Sequence, residues 1–205
     1  PIVVVNHAID NSITIKKKQI DNKVSNKTNL IFVGRFVEDK GIYELLDLMQ
    51  NLDREKYSLK IIGDGPLKEK VLEASNSFSN IEYLGYISSK KELFDLFSKS
   101  DVQLLFSKKP KDNTWEELFG IVIIEAMYCG IPTISTSHIG PKSIINNGIN
   151  GFLIDENNIV EESLKILKEK LYNNKEIIAN TQVTAHKFYK NNLSKKWAEI
   201  LDNYI

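Results

Sequence analysis

The strongest constraint on what this chain can fold into is an alternation of two patterns. From Leu30 onward, short apolar runs at 30–33, 59–62, 81–84, 102–106, 132–136 and 151–154 are separated by longer stretches of helical periodicity near 41–52, 66–75, 89–99, 120–129 and 141–146. Runs this apolar suit strands buried on both faces, and strands that take turns with helices build parallel sheets. The expected fold is therefore α/β, a doubly wound Rossmann-like parallel sheet of about six strands with helices on both faces. After Asp155 the pattern is helical, at 157–172, 175–189 and 193–204, and the last stretch sets Leu193, Trp197, Ile200, Leu201 and Tyr204 on one face. Ahead of the alternation, residues 2–5 read as a short strand and 16–29 as a polar, solvated connection.

Composition removes several classes of function. Twenty-seven basic residues balance twenty-seven acidic ones, so nothing global favours nucleic acid or an anionic surface, and any anion site must be local. The lone cysteine, Cys129, lies in an apolar helix, where packing is its expected role, and its solitude fits a reducing cytoplasm. No run has the length of a membrane span and no signal-peptide pattern is visible. A start at Pro1 without an initiator Met suggests a piece of something longer. There is no phosphate-binding Gly-x-x-x-x-Gly-Lys-Ser/Thr loop, no Gly-x-Gly-x-x-Gly, no Gly-x-Ser-x-Gly elbow and no Cys/His zinc spacing. The basic-aromatic stretch 186–190 is too short for a nucleic-acid module, and Lys108-Lys109-Pro110-Lys111 reads as a solvated loop.

The first three strands run straight into Gly34, Gly63 and Gly85, at the carboxyl ends where open parallel sheets hold ligands. If the strand order is the common doubly wound one, a crevice opens between the strands at 30–33 and 102–106. One lip is 34–41, with Arg35 and Lys40 suited to a diphosphate, or simply to solvent. The other runs from Ser107 into Glu117-Leu-Phe-Gly-Ile-Val-Ile-Ile-Glu125, where Phe119, Gly120, Ile121 and Val122 form a helix start that can offer amides to a phosphate. Glu125 stands in a run that is otherwise apolar, so it has either a buried basic partner or ribose hydroxyls to meet. Glu117 would face whatever lies beyond the phosphates.

These residues resemble a known family. Gly34-Arg35 with Lys40-Gly41, Gly63-Asp64-Gly65-Pro66, Leu84-Gly85-Tyr86, Ser100-Asp101-Val102, Glu117-x-Phe119-Gly120 with Glu125-Ala126-Met127, Gly130, Pro132 and Asn150-Gly151 stand in the order and near the spacing of the retaining nucleotide-sugar glycosyltransferases of family 4, which have the two-domain GT-B architecture. Asn6-His7-Ala8-Ile9-Asp10 resembles the segment by which that family leaves its first domain. The resemblance implies a division into a linker remnant with an edge strand (1–29), a nucleotide-sugar domain (30–192) and a helix returning towards an absent N-terminal domain (193–205). It implies that Arg35 and Lys40 bind the donor diphosphate, Glu125 the ribose and Glu117 the hydroxyls of the transferred sugar. Amides at Gly120 and Ile121 would meet phosphate, Tyr86 and Ile87 the base, and Gly34, Gly63 and Phe119 would complete the donor site. The donor would be UDP- or GDP-linked and the acceptor a glycan or lipid-linked molecule held by the absent domain. No metal, no other cofactor and no nucleic acid is expected; the setting would be cytoplasmic, with peripheral attachment to the inner membrane face an option for the whole enzyme.

Two departures from the family stand out. Ile139 and Ser143 replace a Gly and a Glu of its Gly-Gly-x-x-Glu-Ile segment, and the loop at 108–116 is long and carries Trp115. The alternatives are a non-catalytic nucleotide-sugar-binding or interaction module that uses the Trp197 face, and a sugar-nucleotide epimerase on the GT-B fold.

Overall fold

The computed structural model describes residues 7–13, 27–110 and 116–202. Among these residues six strands form one parallel sheet: β1 (Thr28–Val33), β2 (Tyr57–Ile62), β3 (Ile81–Tyr83), β4 (Val102–Leu105), β5 (Thr133–Thr136) and β6 (Phe152–Ile154), in the order β3-β2-β1-β4-β5-β6. The expected doubly wound sheet is thus present, with all its pairs parallel. Among the described residues eight α-helices accompany it: α1 (Ile42–Gln50), α2 (Lys68–Ser77), α3 (Lys90–Ser98), α4 (Ile121–Tyr128), α5 (Ile139–Ile144), α6 (Ile159–Lys168), α7 (Lys175–His186) and α8 (Lys190–Asp202).

The apolar strands divide their side chains between two cores. Along β1, Leu30 and Phe32 enter a core with α1, α2 and α6, while Ile31 enters the opposite one with α3, α4 and the end of α7. Alternate residues of a strand point to opposite faces, so a strand covered on both sides must be apolar throughout. The same division in β4 sends Val102 and Leu104 one way and Leu105 the other.

The structure moves some expected boundaries. β1 begins at Thr28, inside the stretch expected to be connection, because Thr28 and Asn29 pair with Tyr57 and Ser58 and the Thr28 hydroxyl lies 2.6 Å from the Tyr172 hydroxyl. α6 is shorter than expected: the chain turns left-handed at Lys170 (φ 53°). There the Leu171 N–H bonds back to the Ile166 carbonyl at 3.1 Å, a helix-ending arrangement. α5 starts at Ile139, two residues early, and α8 at Lys190, three early. On α8, Leu193 is buried but Trp197 is 51% exposed and Leu201 also faces solvent, so the apolar stripe is only partly core. The strand expected at 2–5, Trp115 and Tyr204 lie outside the described residues. Among the described residues no helix is long and apolar enough to cross a membrane.

Candidate donor-binding crevice

The sheet reverses direction between β1 and β4, neighbours in space that are separated by two strands in sequence. Such a reversal leaves a crevice beyond the carboxyl ends of the strands. The turns that leave the first three strands are tied to one another: the Gly34 N–H bonds to the Ile62 carbonyl at 3.0 Å and the Gly63 N–H to the Gly85 carbonyl at 2.9 Å. Gly63 also takes the Tyr83 hydroxyl on its own carbonyl at 3.3 Å. The backbone bonds of Gly63 are therefore spent on holding the floor in shape.

Across the crevice the two lips touch. Lys40 and Glu117 form an ion pair, each side chain only 12% exposed, and the Ser107 hydroxyl donates to the same carboxylate oxygen at 3.0 Å. The Lys108 N–H bonds to the Asp39 carbonyl at 2.9 Å, and the Lys108 ammonium pairs with Glu44 of α1. A cation and a carboxylate expected to serve separate ligand groups thus meet directly. Arg35 is exposed at the lip, between Gly34 and the fully buried Phe36 that anchors the turn.

The start of α4 stands on the β4 side. Gly120 occupies the left-handed region at φ 76°, a side-chain Cβ there would come within 2.9 Å of Ile123 Cδ1, and no side chain caps the helix. The first amides of such a helix remain available to an anion. Ile121 is exposed at this point. The Phe119 ring turns elsewhere, packing at 4.9 Å from the His7 ring and 6.1 Å from Phe188, so only its backbone belongs to the crevice.

Glu125 is 4% exposed within α4, where every residue from Ile123 to Tyr128 is buried. It has a basic partner: Lys90, first residue of α3, pairs with its carboxylate, and the lysine side chain is 55% exposed. Nothing in the local sequence singles Lys90 out from Lys91 beside it; the one available signal was its place at a helix start capped by Ser89, after the loop that carries Tyr86 and Ile87. Tyr86 is 75% exposed beside this edge, and Ile87 is half-buried.

A second polar cluster adjoins Glu117. The Glu116 carboxylate accepts the Ile139 N–H at 3.1 Å and lies 3.3 Å from the Lys109 ammonium and 3.5 Å from His138 Nδ1. Burial works against its charged form, but the Ile139 amide and Lys109, with His138 beside them, prevail and hold its pKa below the usual carboxylate value. Among the described residues no three His, Cys, Asp or Glu side chains come together as a metal site.

The structure therefore brings Lys40 together with Glu117 and Ser107, leaves Arg35 exposed on the turn after β1, and sets Gly120, Ile121 and Glu125 on α4 with Lys90 as partner of the last; Ser107 and Lys90 are the two that sequence reasoning missed. Residues 14–188 match the family model described as Glycosyl transferases group 1. An uncharacterized 41.2 kDa protein in the cps region of Klebsiella pneumoniae is 31% identical over 198 residues, covering 92% of this chain and 50% of that protein. The capsular polysaccharide biosynthesis glycosyltransferase CapM of Staphylococcus aureus is 28% identical over 216 residues, covering 99% and 55%. The chain thus spans about half the length of the curated relatives it matches. Solved structures of Anabaena Alr3699/HepE in complex with UDP and with UDP-glucose superpose with TM-scores of 0.70 and 0.69 at 20% identity, covering 87% of this chain and 49% of that one. With the doubly wound sheet, the crevice at its switch point and a family match over most of the chain, this protein belongs to the Glycosyl transferases group 1 family.

Proposed function

We propose that the chain is the donor-binding half of a glycosyltransferase that moves a sugar from a UDP- or GDP-linked donor to a glycan or lipid-linked acceptor, with retention of anomeric configuration. The observation that carries this reading is the Lys40–Glu117 pair, which joins the loop after β1 to the segment ahead of the uncapped start of α4 where the strand order reverses, with Arg35 exposed on the same β1 loop. The complexes of HepE with UDP and with UDP-glucose support the same class of donor.

In this reading the diphosphate lies over the Gly120 and Ile121 amides, with Arg35 and Lys40 as counter-ions. Positive charge and aimed N–H groups stabilise the negative charge that grows on the diphosphate as the sugar departs. The bond from the anomeric carbon to the diphosphate oxygen breaks while an acceptor hydroxyl bonds to that carbon on the same face and passes its proton to the departing diphosphate oxygen. Glu125 accepts from ribose hydroxyls, sharing its charge with Lys90, and Glu117 accepts from hydroxyls of the sugar, oriented by Lys40 and Ser107. The Tyr86–Ile87 loop meets the base. No metal is assigned to the site. The acceptor belongs to a second domain of a cytoplasmic enzyme, so this chain alone should bind donor and transfer nothing.

Titration calorimetry with UDP, GDP and ADP tests the reading. Saturable binding of UDP or GDP is expected; a folded sample that binds none of the three contradicts it.

A further inference from the structure

We propose that His138 is a positioning residue for Glu117, fastening the segment that carries this carboxylate and so setting how the site meets the transferred sugar. The inference rests on the donor-binding reading of the crevice and adds to it a residue that touches no ligand.

His138 is 2% exposed, at the residue before α5. Its Nε2 lies 2.8 Å from the Ser107 carbonyl. A carbonyl only accepts, so Nε2 carries the proton and donates. The Thr136 hydroxyl donates to the same carbonyl at 2.5 Å. Ser107 in turn gives its own hydroxyl to the Glu117 carboxylate oxygen that pairs with Lys40. A single residue, held at its backbone by the imidazole, therefore stands between His138 and the carboxylate.

The residues that follow His138 continue the attachment. The Ile139 N–H donates to the Glu116 carboxylate at 3.1 Å, and the Gly140 N–H to the Glu117 carbonyl at 2.9 Å. Gly140 has no room for a side chain, since a Cβ would press into the Leu118–Phe119 backbone. His138 thus grips Ser107 beyond the end of β4, while residues 139 and 140 grip a strap, residues 116–119, that carries Glu117. On its outer side His138 lines a polar cavity of about 420 Å³ with Lys109, Asp155 and Glu156. Glu156 comes within 3.3 Å of Nε2 and accepts the Lys109 N–H at 2.9 Å. Removing the imidazole would open this cavity onto the Ser107 carbonyl and let water replace the fixed donor.

The strap holds the sugar-facing carboxylate, whereas the diphosphate is held by the start of α4, Arg35 and Lys40, on none of which the imidazole bears directly: its contacts are the Ser107 carbonyl, Glu116 and Glu156. Loosening the strap should therefore weaken binding of the sugar-bearing donor and spare the nucleotide. The experiment compares His138→Ala and His138→Gln with the parent chain by calorimetry, using UDP against UDP-glucose and GDP against GDP-mannose, and follows hydrogen–deuterium exchange over residues 116–120. For His138→Ala the expected result is nucleotide affinity within about twofold of the parent and sugar-nucleotide affinity down about tenfold, the scale of one lost hydrogen bond. Exchange over 116–120 should be faster, and His138→Gln, which keeps an N–H near the Nε2 position, should restore both. Equal losses for nucleotide and sugar nucleotide, unchanged exchange, or no rescue by glutamine would overturn the inference. A parent chain that binds neither nucleotide would instead overturn the donor reading, and the exchange comparison alone would then decide whether His138 fastens the strap.

Discussion

Replacing each partner of the Lys90–Glu125 pair by methionine should have opposite consequences. Removing both ends of a buried ion pair is often harmless, whereas removing one leaves the other without compensation, at about 3–5 kcal/mol for a fully buried pair and about 0–1 for an exposed one. Here the carboxylate side chain is 6% exposed and the lysine 55%. Lys90→Met strands Glu125 in an apolar helix that water reaches from one side only, so the cost should fall between those limits, at about 1–2 kcal/mol. At a urea slope of about 2 kcal/mol/M that lowers the midpoint by roughly 0.5–1 M. Glu125→Met frees an already half-hydrated ammonium and puts an unbranched thioether of similar length among Ile124, Ala126 and Met127. Stability should then stay level or rise by up to about 1 kcal/mol. Affinity for UDP should nevertheless fall about tenfold or more, as a buried acceptor for ribose is lost. Urea denaturation followed by tryptophan fluorescence, with calorimetry on the same samples, measures both. If Glu125→Met lowers the midpoint as far as Lys90→Met does and UDP affinity is retained, the carboxylate is a structural counter-ion and its assignment to the ribose is wrong.

Three further outcomes follow from the same geometry. Arg35→Ala should leave the urea midpoint unchanged, because the side chain is exposed, while weakening diphosphate binding by about 1.5–3 kcal/mol, the range for a charge-assisted hydrogen bond; equal loss of stability and affinity would count against it. Gly120→Ala, at φ 76° with Ile123 in the way, should cost about 1–3 kcal/mol in denaturation and reduce UDP affinity as the helix start shifts. Burial pushes the Tyr172 phenol, ordinarily at 10.0, up to about 12, against a hydrogen bond with Thr28 that pulls the other way. The unfolded chain loses this proton near pH 10 and the folded chain near pH 12, so the tyrosine's contribution is intact below pH 10 and falls by about 2–3 kcal/mol as pH rises towards 12. Tyr172→Phe should remove that slope from stability measured across pH 9–12.

Much of the sheet was legible because burial on both faces leaves a plain signature: Leu30, Ile31 and Phe32 must all be apolar if alternate residues enter different cores. Where the signature failed, a distant partner had intervened. Thr28 and Asn29 look like loop residues, and they join β1 through β2 and through Tyr172, which stands far along the chain. The crevice was legible from glycine turns at the strand ends together with the Arg35, Lys40, Glu117 and Glu125 set. Which charges pair was not: Lys40 meets Glu117 and Lys90 meets Glu125 only because the fold brings separate elements together. The partner of Glu125 could have been any of many lysines, and periodicity says nothing about which one a helix start will present. His138 was equally silent, since its function comes from a carbonyl on another strand's exit and not from its neighbours.

The central claim is that the β1/β4 crevice holds a nucleoside diphosphate, and the most direct measurement is a backbone-amide NMR titration of the chain with UDP and GDP. Shifts concentrated at Gly34, Arg35, Tyr86, Ile87, Gly120 and Ile121, saturating together, are the predicted result. Shifts absent from those amides, or confined to α8 around Trp197, would contradict the claim.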